Sequence, residues 1–537
     1  MTTLLRILAR RLAPKVALLC ALVAAAGAAT LPSYASTYQT DAARAAAVEL
    51  AARNGAALVL YGRLEPPGHA AAMFVWEMGA FITIGVAVVA VLLAAGLTRG
   101  LDTDGTVELA RSAGVTPRAM VLTASLLLVV TALTVGASSA AGLLGHLGAD
   151  GVTLAGTLAW GAVVGTTFLL IAALTALAGQ LVATVGATRG VGLMVVGTGF
   201  LARAAADTAP DTSTDTALNP ALDARGWLAS VSPLGLRGAV SPFGDVSWRS
   251  LLAALAVTGL IGAVTGWIWS RRELHSALLR PRTRHTPRLR VRGVAGFVGL
   301  TSLGSTLGWT TAIAALTGFF VGMGGDVVAS ARAGRLEGGL LEAQLGRGDP
   351  TGAYLAYVGT IVGVLTAAYA VLHVLRYAAS ERTGTLELVR GTGRRPWAPL
   401  VAYAVTAAGA AGCLLVVAGV VAAGMAAAIF PDEGVATTAW HQVVGQWPGV
   451  AALAGLSATV IGVKPRWAAL AASMAGVSAI LVLLGSLLHA PEWLVDLAAF
   501  GHVPMSGVDA AQAILVVTAI LATLGGGLAV ARRDLSG

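Results

Sequence analysis

Lysine is nearly missing from this chain of 537 residues: Lys15 and Lys464 are the only two. Neither follows a glycine directly, so no Gly-x-x-x-x-Gly-Lys-Ser/Thr loop exists to cradle nucleotide phosphates. If the protein's work is driven by ATP, the hydrolysing site belongs to a separate chain. Cysteine is equally sparse. Cys20 and Cys413 both lie inside apolar runs, which suggests neither a disulfide framework nor a thiolate metal site. There is no His-Glu-x-x-His, and His146, His373, His489 and His502 are scattered, so no metal centre is expected. A lone histidine near the end of an apolar run reads as an interfacial or packing residue. Charge of either sign is also scarce, at 11% of residues.

Apolar residues take that space. They make up 56% of the chain, and the mean hydropathy is +0.80. No soluble globule can hide so much apolar surface, so the sequence predicts a polytopic membrane protein. The net charge of +9 comes from arginine. A basic balance can mean nucleic acid, but Arg99, Arg118, Arg189, Arg376, Arg382, Arg394 and Arg395 fall in short segments between apolar runs. There they set topology, and no nucleic-acid partner is expected. Glycine and alanine crowd every run, as close helix packing in lipid requires.

The fold expected is all-α, with about twelve transmembrane helices. Apolar runs fall near residues 16–36, 74–97, 119–144, 154–182, 191–206 and 251–268, then near 303–324, 353–375, 399–430, 449–463, 468–489 and 510–530. Ahead of them, Arg6, Arg10, Arg11 and Lys15 alternate with Leu5, Leu8 and Leu12 on one face, which reads as an interfacial amphipathic helix on the cytoplasmic side. This start also has the make-up of a signal peptide. Retention is the expectation, because a repeat beginning here would otherwise lose its first helix. Residues 37–73, 207–249, 326–352, 431–447 and 490–509 are expected outside. The second of these is acidic, with Asp207, Asp211, Asp215, Asp223 and Asp245. Residues 271–293 carry eight arginines and two prolines. They read as a basic cytoplasmic linker between a first half, 1–270, and a second half, 294–537, with contact to anionic lipid or a partner as the functional alternative.

One polar stretch occurs twice. Gly105, Thr106, Glu108, Leu109, Arg111, Gly114 and Pro117 recur at a single offset as Gly384, Thr385, Glu387, Leu388, Arg390, Gly393 and Pro396. Each copy lies between two apolar runs. The chemistry predicts a short capped helix: Thr106 or Thr385 as N-cap, a glutamate in the first turn, an arginine in the last, then glycine and proline to stop it. Later landmarks repeat too, including Trp227-Leu228 with Trp493-Leu494 and Arg271-Arg272-Glu273-Leu274 with Arg532-Arg533-Asp534-Leu535. Six spans per half is an even number. The two halves are therefore expected to be parallel repeats, with both hairpins, both Arg-Arg-acid-Leu ends and both termini in the cytoplasm.

These duplicated loops resemble the cytoplasmic loop of ABC exporter permeases of the type-two family, and the duplicated, arginine-rich form resembles actinobacterial antibiotic and multidrug exporter permeases. The resemblance implies a permease subunit in the cell membrane that is not itself an enzyme and holds no cofactor. It implies coupling helices at Gly105, Thr106, Glu108, Leu109 and Arg111 and at Gly384, Thr385, Glu387, Leu388 and Arg390. It also implies a separate ABC ATPase, expected in two copies that carry ATP and Mg, and hydrophobic antibiotics or drugs as cargo. Asp102 and Asp104 stand against Glu381 and Thr383, so equal grip on both sides is an open point.

Few residues suggest the cargo path. Glu77 is an acid within an apolar run, read either as functional or as snorkelling to the interface. Its second-half counterpart region offers Tyr354 and Tyr357 instead. Trp76, Phe81, Phe319, Phe320 and Tyr357 are candidates for a drug path or for lipid-facing belts. Arg203 is expected to reach water from a span end. An ion-coupled secondary transporter is the alternative, but Glu77 has no matching acid in the second half, and loss of transport on collapse of a proton gradient would mark it. A membrane enzyme would have to use the acidic loop 207–223, which reads better as solvated chain.

Overall fold

The computed structural model describes residues 2–53, 55–149, 151–208, 232–273, 278, 291, 293–333, 349–430, 434–484, 491–504 and 509–533. Among them there is no strand, and twelve helices are long and apolar enough to cross a bilayer. They are Thr2–Ser36, Ala70–Thr103, Pro117–Leu144, Leu154–Leu181, Val185–Asp207, Trp248–Arg271, Gly293–Ala329, Pro350–Arg382, Ala398–Ile429, Val435–Val463, Pro465–Val482 and Ala510–Ala531. Here they are called spans one to twelve. Leu122, Leu133, Leu252 and Leu260 stand exposed on helix surfaces, where a bilayer accommodates them and water does not. The chain is a multi-pass, all-α membrane protein.

Residues 1–285 and 286–537 form two compact units. In the first, span four is the hub: it packs against spans two, three, five and six, and span one packs on span three. Small residues set the spacing. A Cβ on Gly136 of span three would lie 2.5 Å from the carbonyl oxygen of Gly161 of span four, and one on Gly161 would lie 2.7 Å from that of Gly136. The two backbones touch, so side chains are excluded there. In the second unit span ten is the hub. It packs against spans eight, nine, eleven and twelve, and span seven packs on span nine. Gly462 and Gly526 bring spans ten and twelve together in the same way.

Several expectations about the helices change. The amphipathic start is not a separate surface helix: Thr2–Thr37 is one continuous helix. Leu8 is buried, and Leu5 and Leu12 pack on the core of the first unit. The leucine face that suggested a membrane surface meets protein instead. Within the segment 431–447, expected outside with no structure assigned, Val435–Val444 is a helix stacked ahead of Trp447–Val463 and packed on spans eight and nine. Its apolar face, with Val435, Ala439 and Val443, is buried. Span two is broken, with helix Ala70–Trp76 ending at Glu77 and Met78–Ala95 resuming after it.

The segment between spans one and two does fold as a helix over Asp41–Arg53, and a second helix covers Gly55–Tyr61. Arg203 does not reach water. It is buried, pairs with Asp207 at 3.1 Å, and donates to the carbonyls of Val59 and Leu60 at 2.7 and 2.9 Å. The acidic positions Asp211, Asp215 and Asp223, the Trp227-Leu228 landmark, linker residues 279–290 and 292, and His489 lie outside the described residues.

Candidate functional site

Both repeated stretches fold as hairpins. The first holds a helix over Thr106–Ser112 and the second a helix over Thr385–Gly391. Gly105 and Gly384 have φ of 73° and 71°, and Gly114 and Gly393 have φ of 83° and 76°. Four left-handed positions explain four of the recurring residues, because only glycine takes that conformation without strain. The N-cap of the first helix is Gly105 and not Thr106. The first-turn amide of Thr106 is satisfied from outside, by donation to Asp104 Oδ1 at 3.1 Å. In the second copy Thr385 Oγ1 meets Thr383 Oγ1 at 3.0 Å. Thr116 caps the start of span three by accepting from the amide of Ala119.

The two helices bury and expose the same positions. Val107 and Leu386 point inward, each 3% exposed. Glu108 and Glu387 face outward. So do Leu109 and Leu388, at 73% and 77% exposure. A leucine so exposed at the tip of a polar hairpin is not explained by packing within the unit, and the same exposure recurs in both copies. Arg111 is half-buried in the last turn. Arg390 stands in the matching turn, and its side chain lies outside the described residues.

Above each hairpin lies an ion pair. Asp102 accepts from Arg99 at 3.2 Å and from Arg272 at 2.5 Å, with all three side chains nearly buried. Arg99 also donates to the carbonyl of Gly179 at 2.6 Å. In the second unit Glu381 accepts from Arg533 at 2.9 Å.

The path candidates form local groups. Trp76 donates to the carbonyl of Gly62 at 2.7 Å, and its ring meets Tyr61 edge-on with centroids 4.9 Å apart; Phe81 meets the same Tyr61 at 5.9 Å. The Glu77 carboxylate is held by the hydroxyl of Tyr34 in span one, at 2.8 Å. It points to a partner helix rather than snorkelling. In the second unit Phe319 and Phe320 meet edge-on at 5.7 Å, and Tyr354 donates to the carbonyl of Phe320 at 2.5 Å. Tyr357 is half-buried on the same span as Tyr354. A cavity of about 450 Å³ in the second unit is lined by Arg332, Asp349, Thr351 and Thr437 among others, and none of the path candidates borders it.

Two clusters were missed. Arg237 is buried and donates to the carbonyls of Tyr61, Val75 and Trp76, which pins the break in span two. Burial, helped by the charge of Arg203, pushes Arg237 down to about 9, so it remains charged at neutral pH. No periodicity announces such a residue, since its partners are backbone oxygens. His373 sits in a string: Thr306 meets the hydroxyl of Tyr369 at 2.7 Å, and His373 meets Tyr369 at 3.5 Å and Thr406 at 3.0 Å. Helical spacing of Tyr369, His373 and Tyr377 was the available signal. The histidine is an interior packing residue, not an interfacial one.

The C-terminal domain of the multidrug efflux system permease Rv1217c matches residues 291–532. Over 522 residues the chain is 29% identical to the multidrug efflux system permease protein Rv1217c of Mycobacterium tuberculosis (strain ATCC 25618 / H37Rv), covering 94% of this chain and 89% of that one. The likeness to that mycobacterial permease extends over nearly the whole chain.

Proposed function

We propose that the chain is the membrane permease of an ATP-driven exporter of the ABC type, and that its two hairpin helices are the docking points of a separate ATPase. One observation carries this: Glu108-Leu109 and Glu387-Leu388 are exposed at the same register of two short helices, each mounted on left-handed glycines. Two equivalent contacts suit a partner that has two equivalent grooves, as a twofold dimer does. The recurring leucine supplies apolar contact and the glutamate supplies orientation.

On this reading the two halves lie parallel, and the hairpins and both termini face the cytoplasm. Two ATPase copies, carrying ATP and Mg, serve one permease that is not itself an enzyme. The matching order of helix packing in the two units supports a duplicated body. The name of the mycobacterial relative, a multidrug efflux permease, supports drugs as cargo, and the loop resemblance suggests hydrophobic ones. ATP binding closes the ATPase dimer and moves the hairpin helices, and the halves then exchange the side on which they open. Such coupling requires that the ATPase contacts differ between the two states.

The test is the double variant Glu108→Arg/Glu387→Arg, assayed in membranes together with an ABC ATPase that supports drug transport by the unaltered chain. Insertion should be unchanged, while drug transport and drug-stimulated ATPase activity are lost. Drug-stimulated ATPase activity at the unaltered level would overturn the proposal.

A further inference from the structure

In each unit the acid three residues before the hairpin glycine is gripped by the second arginine of the Arg-Arg-acid-Leu sequence that follows the unit's last span. In the first unit this is Asp102 with Arg272, and in the second it is Glu381 with Arg533. Asp102 and Glu381 occupy the same place in the two repeated stretches, and Arg272 and Arg533 the same place in the two terminal landmarks. The sequence presents these as two unrelated likenesses about 150–170 residues apart, and the structure brings them together twice.

We propose that these pairs are clamps. Each ties the base of a hairpin, at the end of span two or span eight, to the last span of its own unit, so that a push reaching that base moves span six or span twelve as one body with it. The reasoning is mechanical and electrostatic. Each acid stands at the end of span two or span eight, immediately before the flexible glycine turn. Without a brace, a push arriving at this end of span two or span eight would not be passed to the last span. A nearly buried ion pair is a stiff brace, because opening it strands a charge away from water. Asp102 is 5% exposed and Arg272 6%; Glu381 is 3% exposed and Arg533 19%.

The clamps are unequal. Asp102 is held by a second arginine, Arg99, which is anchored to the backbone of span four through Gly179. The place matching Arg99 in the second unit is Ala378, and there Oε1 of Glu381 is buried without a hydrogen-bond partner. The second clamp therefore depends on one contact. It is the one whose removal should disconnect a hairpin from its last span most cleanly.

This inference rests on the exporter reading, and the experiment separates the two. Cys20 and Cys413 are first replaced by alanine, and then Glu381→Cys and Arg533→Cys are introduced together. The complex with the ATPase is purified and reconstituted. The readouts are ATPase co-purification, ATP hydrolysis, and drug moved per ATP, before and after the two thiols are bridged by a flexible bifunctional methanethiosulfonate. Co-purification and hydrolysis should persist. Drug moved per ATP should fall about tenfold, the size of an ordinary coupling free energy, and should recover on bridging. A residue that served folding alone would show no recovery on bridging. Unchanged drug moved per ATP, or a loss that bridging does not reverse, overturns the clamp. If the double variant does not assemble, the charge exchange Glu381→Arg/Arg533→Glu gives the same decision: restored coupling supports the clamp, and a well-assembled but uncoupled complex overturns it. Failure of the ATPase to co-purify with the unaltered chain would instead sink the exporter reading.

Discussion

Among single residues, charges buried in the described structure are held by named partners. Arg203 satisfies two carbonyls of the segment between spans one and two, Arg237 satisfies one there and two in span two, and Glu77 is met by a tyrosine hydroxyl. Polar groups taken out of water need such partners, and in lipid the alternative is worse. Glu77 was legible as an acid in an apolar run, but not its partner, since Tyr34 lies 43 residues away on another helix. The same limit hid Arg237, whose contacts are backbone atoms. Tyr34→Phe should strand the Glu77 carboxylate and lower stability by about 1–3 kcal/mol. Tyr34→Phe/Glu77→Gln should be the milder change, because the acceptor's charge has gone. Thermal unfolding of the four proteins of this cycle in detergent measures the difference, and strictly additive effects would show that the bond contributes nothing.

For elements, the duplicated hairpin was the most legible feature of the chain. Glycine at four matched places, glutamate in the first turn and proline after the second glycine specified a short stopped helix in both copies. The capping detail differed, since the turn is closed by Gly105 in the left-handed region and by the Asp104 carboxylate rather than by Thr106. A threonine beside a glycine cannot be told from a cap by residue type alone. The Val435–Val444 helix was obscured by the proline, acid and glycine just before it, and the amphipathic start by arginines that looked like surface charge. Gly384 has φ of 71° with open space around it, so a methyl group there meets only backbone strain. Gly384→Ala should therefore cost about 1–2 kcal/mol locally. Amide hydrogen exchange over Thr385–Gly391 should speed up accordingly, with Gly384→Asn affected less. Unchanged exchange in the alanine variant would contradict the requirement for a left-handed turn.

For the whole molecule, length and hydropathy already implied about twelve helices, and the described chain has twelve. Pairings between distant helices were not legible, because small residues line every span and mark close packing without naming the neighbour. The pairings of Asp102 with Arg272 and of Glu381 with Arg533 were not legible either, because each acid and its arginine lie 170 and 152 residues apart in the chain. With no phosphate-binding loop in the sequence, an ATP-driven reading requires energy to arrive from another chain, and the two exposed Glu-Leu tips are where it would enter.

Photocrosslinking tests that point most directly. A benzophenone amino acid is placed at Leu109 in one sample and at Leu388 in another, in membranes that also contain an ABC ATPase with which the chain transports drug. Each position should yield an adduct between this chain and the ATPase, whereas a probe at lipid-exposed Leu260 should not. No ATPase adduct from either hairpin, in membranes where the pair transports drug, would contradict the docking of an external motor on these two helices.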